Sequence, residues 1–189
     1  YNWELVFCEL YAGGKYKNNE GENYEFSLGL NGLGTCATQY ASEYMDVEVA
    51  RDGKLYSLHF EKGENVGGLL KIETTSKKTY SVQKWRPDLD VFTGINIPLE
   101  FFTETLKRQA IVNAGLTFIL YDETPEGTQK YEFCYPEGIS GYVTEVADGK
   151  NETSVQYIEA ERTGRDRADK EDYKVKMQAA FCFAPTNTM

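Results

Sequence analysis

The stretch from Tyr44 to Lys62, YMDVEVARDGKLYSLHFEK, decides the class of fold. Alternation places Met45, Val47 and Val49 on one side of an extended run, and a second alternating run, KLYSLHFEK (residues 54–62), follows the dipeptide Asp52-Gly53. A period of two residues is that of a half-buried strand, and Asp-Gly between two such runs is the signal of a tight antiparallel hairpin. Two further short runs follow, GLLKIET (68–74) and TYSVQKW (79–85), separated by the polar TSKK (75–78). Pro87 then ends the strand region, because proline has no backbone N–H to give to a ladder.

Outward from this sheet the period changes. Upstream, residues 3–11 carry Leu5, Val6 and Leu10 at helical spacing, with Gly13 and Gly14 as the stop. The polar segment KYKNNEGENYE (15–25) reads as a loop, and a helix is expected from Gly32 to Ser42. Downstream, PLEFFTETLKRQAIVN (98–113) reads as a helix with Pro98 in its first turn and Gly115 beyond its end. Next come a second hairpin from LTFILYDE (116–123) and QKYEFCY (129–135), a short helix GISGYVTEVA (138–147), and two terminal strands flanking EAERTGRDRADKEDY (159–173). The predicted class is α+β, a mixed β-sheet with the helices near 32–42 and 98–113 on one side. The predicted boundary lies in ADGKNET (147–153), dividing the chain into 1–150 and 151–189, because two strands do not bury both faces alone.

The chain has 189 residues, 41% of them hydrophobic, enough for one core and part of a second. A formal net charge of −10 argues against a surface that coats nucleic acid throughout, so any DNA contact is expected to be local. No run is long and apolar enough to span a bilayer and no leader pattern opens the chain, which places it in the cytoplasm with no membrane partner. Cys8, Cys36, Cys134 and Cys182 stand singly beside one histidine, His59, a spacing that suits free thiols in a reducing compartment better than zinc.

Two glycine-rich elements carry the chemistry: AGGK (12–15) and GLNGLG (29–34). Backbone amides hold an anion only where no Cβ blocks its approach, and a helix beginning at Gly32 to Gly34 would aim its unpaired N–H groups outward. The helix dipole adds about 0.3–1 kcal/mol, and Lys15 supplies a counter-charge. Taken alone, the same glycines also serve tight packing and a turn, since GLNGLG follows no strand and AGGKY lacks P-loop spacing.

The order and spacing of ELYAGGKY, GLNGLGTCATQYAS, KWRPDLDVF and LKRQAIVNAGLTF resemble the B subunits of type II DNA topoisomerases, gyrase and topoisomerase IV, within the GHKL ATPase superfamily. The resemblance runs from about Trp3 to Phe183. It implies the C-terminal part of a GHKL ATPase domain, with Ala12 to Asn31 as its ATP lid, followed by the first strands of a transducer domain from residue 154. It places a phosphate cradle on Gly29, Leu30, Asn31, Gly32, Leu33 and Gly34, and puts Lys15 at the position of the lid lysine that reaches the terminal phosphate. The family's Thr-Gly-Thr strand, which helps hold adenine, matches Thr79, Tyr80 and Ser81; a phenol replaces the glycine, and Ser81 keeps a hydroxyl.

By the same resemblance the catalytic glutamate, the metal-holding asparagine and the adenine-reading aspartate match positions upstream of Tyr1. No catalytic residue and no metal ligand is therefore expected in this chain, and isolated ATP turnover is expected to be absent. The implied function is that of an ATP-dependent topoisomerase subunit using ATP and Mg2+, with DNA, an A subunit and a second B subunit as partners.

Other residues have plainer readings. Glu4 and Glu9 read as surface helix carboxylates, and His59 as a packing or surface residue. Arg162, Arg165, Arg167 and Lys170 interleave with acids, which suits a self-paired loop; the functional alternative turns the three arginines toward DNA. The rival to the enzyme reading is a non-enzymatic binding module on a degenerate GHKL scaffold, suggested by Tyr80.

Overall fold

The computed structural model describes residues 2–12, 32–74, 77–165, 168–169 and 172–185. Contacts divide the chain into two compact units, Tyr1–Ile95 and Asn96–Met189.

The first unit is built on the hairpin that alternation and Asp52-Gly53 predict. Strands β1 (Ser42–Arg51) and β2 (Lys54–Glu61) pair antiparallel, with Met45 opposite Phe60 and Val47 opposite Leu58. Asp52 and Gly53 both have positive φ, 53° and 70°, the conformation that matches a two-residue turn to the twist of its strands. The short β3 (Glu64–Asn65) and β4 (Leu70–Glu73) both pair with β2, and β5 (Tyr80–Pro87) pairs with β1. Pro87 closes β5, as expected of a residue without an N–H.

Helix α1 (Asn2–Cys8) lies on the face that carries Met45 and Val47. Its packing side is not the expected one. Leu5, Val6 and Leu10 are exposed, and the residues four apart that meet the sheet are Trp3 and Phe7, whose ring centroids lie 6.2 and 5.7 Å from that of Phe60. The helix also stops short of residue 11, because Tyr11 adopts a left-handed φ of 60° before either glycine is reached. Helix α2 (Gly34–Tyr40) is two residues shorter at each end than expected. Gly32 has φ 59°, and Ser42 already belongs to β1 while its hydroxyl donates back to the Thr38 carbonyl at 2.6 Å.

In the second unit, α3 (Leu99–Val112) packs on the hairpin of β6 (Thr117–Thr124) and β7 (Gly127–Cys134), and on α4 (Gly138–Ala147). The two helices expected to cover one sheet therefore divide between the units. Pro98 is the residue just before α3, with φ −57° and ψ 140°, rather than a member of its first turn. Ala110 and Ile111 are its buried residues. At the α3–α4 seam, Lys107 and Tyr135 both donate to Glu145, at 2.8 and 2.6 Å, and the Lys107 ammonium stands 5.6 Å from the Tyr142 ring centre. The final hairpin, β8 (Gln156–Gly164) and β9 (Tyr173–Phe181), touches α4 through β9. The α+β class holds, and all the described strand pairings are antiparallel.

On the sheet face away from α1, His59 sits between two carboxylates, 2.6 Å from Asp46 and 3.2 Å from Glu61. The hydrogen bond to Asp46, then that to Glu61, raises its pKa above the ordinary imidazole value. A raised value means that the folded chain holds the proton more tightly than the unfolded one, so this contribution is complete below the unfolded pKa. It is lost as pH rises through the folded pKa. Urea midpoints of the wild type are expected to fall across that window relative to His59→Ala, and parallel profiles for the two proteins would contradict it.

Candidate functional site

Of the expected phosphate cradle, Gly32, Leu33 and Gly34 fall within the described residues, whereas Lys15, Gly29, Leu30 and Asn31 lie outside them. The three form the approach to α2. Leu33 is its N-cap and uses no side chain for the purpose, and the first intrahelical bond runs from the Ala37 N–H to the Leu33 carbonyl at 2.8 Å. The N–H groups of Gly34, Thr35 and Cys36 thus have no intrahelical acceptor. Gly32 and Gly34 are exposed, so this end of the helix opens to solvent instead of being sealed in the core. A Cβ at Gly34 would meet nothing within 4 Å, so its own neighbours do not demand glycine there.

Ser81 and Tyr80 are separated by the alternation of β5. Ser81 stands opposite Val49, which packs with the α1 cluster, so its hydroxyl is on the α1 face of the sheet, and the residue is exposed. On this face a cleft of about 590 Å3 is lined by Trp3, Phe7, Val49, Arg51 and Tyr56 among others. Tyr80 stands opposite Ala50 on the reverse face, and its phenol donates to the Glu48 carboxylate at 2.7 Å. That hydrogen bond and partial desolvation push the phenol pKa up. The substitution that suggested a lost nucleotide site therefore points away from the side on which Ser81 lies.

Sequence reasoning missed the Tyr80–Glu48 bond, whose partners are 32 residues apart. It also missed Asp88, which is buried behind the strand end: its N–H donates to the Ala41 carbonyl at 3.0 Å and its carboxylate accepts from the Asp90 N–H at 2.9 Å. The signal was present in Pro87-Asp88, since an aspartate after a strand-ending proline is suited to cap a turn with its own side chain. Lys62 completes this corner, 2.5 Å from Asp90 and 3.5 Å from Asp88.

In the second unit, the Arg165 guanidinium pairs with Asp172, and Arg162 donates to the neighbouring Glu161 carbonyl at 2.9 Å. Arg167 lies outside the described residues. Among the described residues no group of three His, Cys, Asp or Glu side chains stands together to hold a metal, and no helix is long and apolar enough to cross a membrane.

No family model matches the chain. Curated relatives do: over 148 residues, 77% of the chain, it is 35% identical to the B subunit of DNA topoisomerase 4 from Escherichia coli. The chain belongs to the family of type II DNA topoisomerase B subunits. It is also 29% identical over 180 residues, 95% of its length, to the B subunit of DNA gyrase from Synechocystis. The chain spans about a fifth of the length of these relatives, 22% of the Escherichia coli protein and 16% of the Synechocystis protein. Its fold matches the 43K ATPase domain of Thermus thermophilus gyrase B, a structure solved in complex with an aminocoumarin, with a TM-score of 0.61 at 24% identity. That match covers 68% of the chain and 36% of the Thermus chain.

Proposed function

We propose that the chain is part of the ATPase subunit of a bacterial type II DNA topoisomerase, in which ATP binding and hydrolysis drive passage of one duplex through another. The reading rests on one observation above the others: Ser81 offers its hydroxyl on the open α1 face, and the departure from the family pattern, Tyr80, is tied to Glu48 on the reverse face. In this reading residues 1–150 are the C-terminal portion of the ATPase domain and 151–189 begin the transducer. That is a division by role, and it differs from the contact division after Ile95. The amides of Gly29 to Gly34 cradle phosphates, Lys15 neutralises the terminal one, and Ser81 helps hold adenine. Mg2+ would offset charge on the phosphates, and the described residues offer no cluster of their own to hold it. Partners are an A subunit, a second B subunit and DNA, in the cytoplasm. Arg162, Arg165 and Arg167 are the candidates for facing DNA, though Arg165 is already engaged by Asp172. The alternative of a non-enzymatic binding module drew on Tyr80 and is not favoured.

Calorimetric titration of the complete subunit with ATP tests the assignment. Lys15→Ala removes a charge-assisted hydrogen bond of about 1.5–3 kcal/mol and is expected to weaken binding roughly tenfold to a hundredfold. Ser81→Ala removes a neutral one of about 0.5–1.5 kcal/mol and costs a few-fold to about tenfold in affinity. Tyr80→Phe leaves affinity unchanged. Unaltered ATP affinity in Lys15→Ala, or a loss in Tyr80→Phe as large as in Lys15→Ala, would refute the site.

A further inference from the structure

A cavity of about 410 Å3 opens on the face of the first sheet opposite α1. One row of cross-strand neighbours forms its centre: Leu70 on β4, Ser57 on β2, Glu48 on β1 and Val82 on β5. Leu70 and Val82 are 57% and 50% exposed, so both apolar walls keep surface that a ligand would cover. Between β3 and β4, Gly67 and Gly68 adopt left-handed φ of 86° and 72°, and the turn they make brings Val66 in as a third apolar wall.

The charged groups of the lining are not equally engaged. Asp46 is bonded to His59, which also meets Glu61, and Lys84 stands opposite Asp46 with its ammonium 5.7 Å from the Tyr44 ring centre. Glu48 has no cation of its own. One of its oxygens accepts from the Tyr80 phenol at 2.7 Å; among the described residues nothing pairs with the other oxygen, nor with the Ser57 hydroxyl directly across the strand. The phenol holds the carboxylate in place, so the residue that stands where the family pattern has glycine helps to build this site.

We propose that this cavity binds a small organic cation, a primary ammonium on an apolar body, with the ammonium donating to Glu48 and Ser57 and the body against the apolar walls. Cavities of this size suit small molecules, with apolar walls supplying contact and a few polar groups fixing orientation. A carboxylate with a hydroxyl beside it selects a cationic donor over a neutral one, because a hydrogen bond between charged partners is about twice as strong. Ser81 lies on the opposite face of the sheet, so the proposal does not rest on the nucleotide reading.

The test titrates the full chain at neutral pH with benzylamine, which is protonated there, and with benzyl alcohol and benzoate as neutral and anionic probes of similar shape, following amide NMR shifts. Benzylammonium is expected to shift residues 46–48, 57–59, 66–70 and 82–84, and to bind roughly tenfold more tightly than benzyl alcohol. Benzoate is expected to leave these residues unshifted. Glu48→Gln, which keeps the shape and removes the charge, is expected to weaken benzylammonium about tenfold, and Tyr80→Phe a few-fold. Equal affinity for the alcohol, tighter binding of benzoate, undiminished binding in Glu48→Gln, shifts centred on Trp3 and Tyr56 across the sheet, or no shift at all would each overturn the proposal. The three probes on the wild type decide the matter even where a variant does not fold.

Discussion

Phe60→Ala is expected to lower the stability of the first unit by about 3–5 kcal/mol, the range for emptying a large aromatic site that neighbours do not refill. Phe60 is 0% exposed and sits where the hairpin meets α1, with Met45 across the strand and the rings of Trp3 and Phe7 above it. Alanine there removes apolar contacts from both layers at once, and a rigid sheet cannot close on the space. Urea unfolding followed by tryptophan fluorescence reads the loss directly, since Trp3 lies edge-on to the deleted ring. Leu70→Ala is the control: Leu70 is 57% exposed on β4, and its truncation is expected to change stability by less than about 0.5 kcal/mol. A Phe60→Ala shift no larger than that of Leu70→Ala would mean that α1 does not seal the sheet as described.

The second large effect is at Gly138, where α4 begins beside the end of α3. Its φ is +54°, and a Cβ there would lie 3.2 Å from the Ala114 Cβ and 3.4 Å from the Ile111 carbonyl oxygen. Gly138→Val places a β-branched residue in left-handed backbone and pushes it into two neighbours that belong to another chain segment. Strain of this kind costs about 1–3 kcal/mol, and the crowding adds a similar amount. Gly141→Ala, one turn later in the same helix, is the contrast. Its Cβ would meet Glu137 at 3.4 Å in ordinary contact, and alanine in a helix interior is favoured by roughly 0.5–1 kcal/mol. Thermal melts of the two variants should therefore move in opposite directions. Equal melting temperatures would show that the α3–α4 approach is looser than these distances imply.

The elements were legible because each has a local cause. Alternation and Asp52-Gly53 specify β1 and β2, and α4 runs from Gly138 to Ala147 as its pattern predicts. The candidate nucleotide residues were named by resemblance; of them, Gly32 and Gly34 stand at the open start of a helix, and Gly34 has no crowded neighbour to explain it. The Tyr80–Glu48 bond was illegible because strand-to-strand register, set by pairing across β1 and β5, is not written in either strand alone.

By itself, then, the sequence determined which residues share a face: Met45 with Val47 and Val49, Tyr80 with Val82, Trp3 with Phe7. Tertiary packing decided which of those faces is covered. It chose Trp3 and Phe7 over Leu5 and Val6, left Ser81 on the α1 side and Tyr80 on the other, and set the contact boundary after Ile95. Periodicity is a property of one element and is fixed by its own backbone geometry, whereas burial is a relation between elements and exists only once a second surface has excluded water from the first.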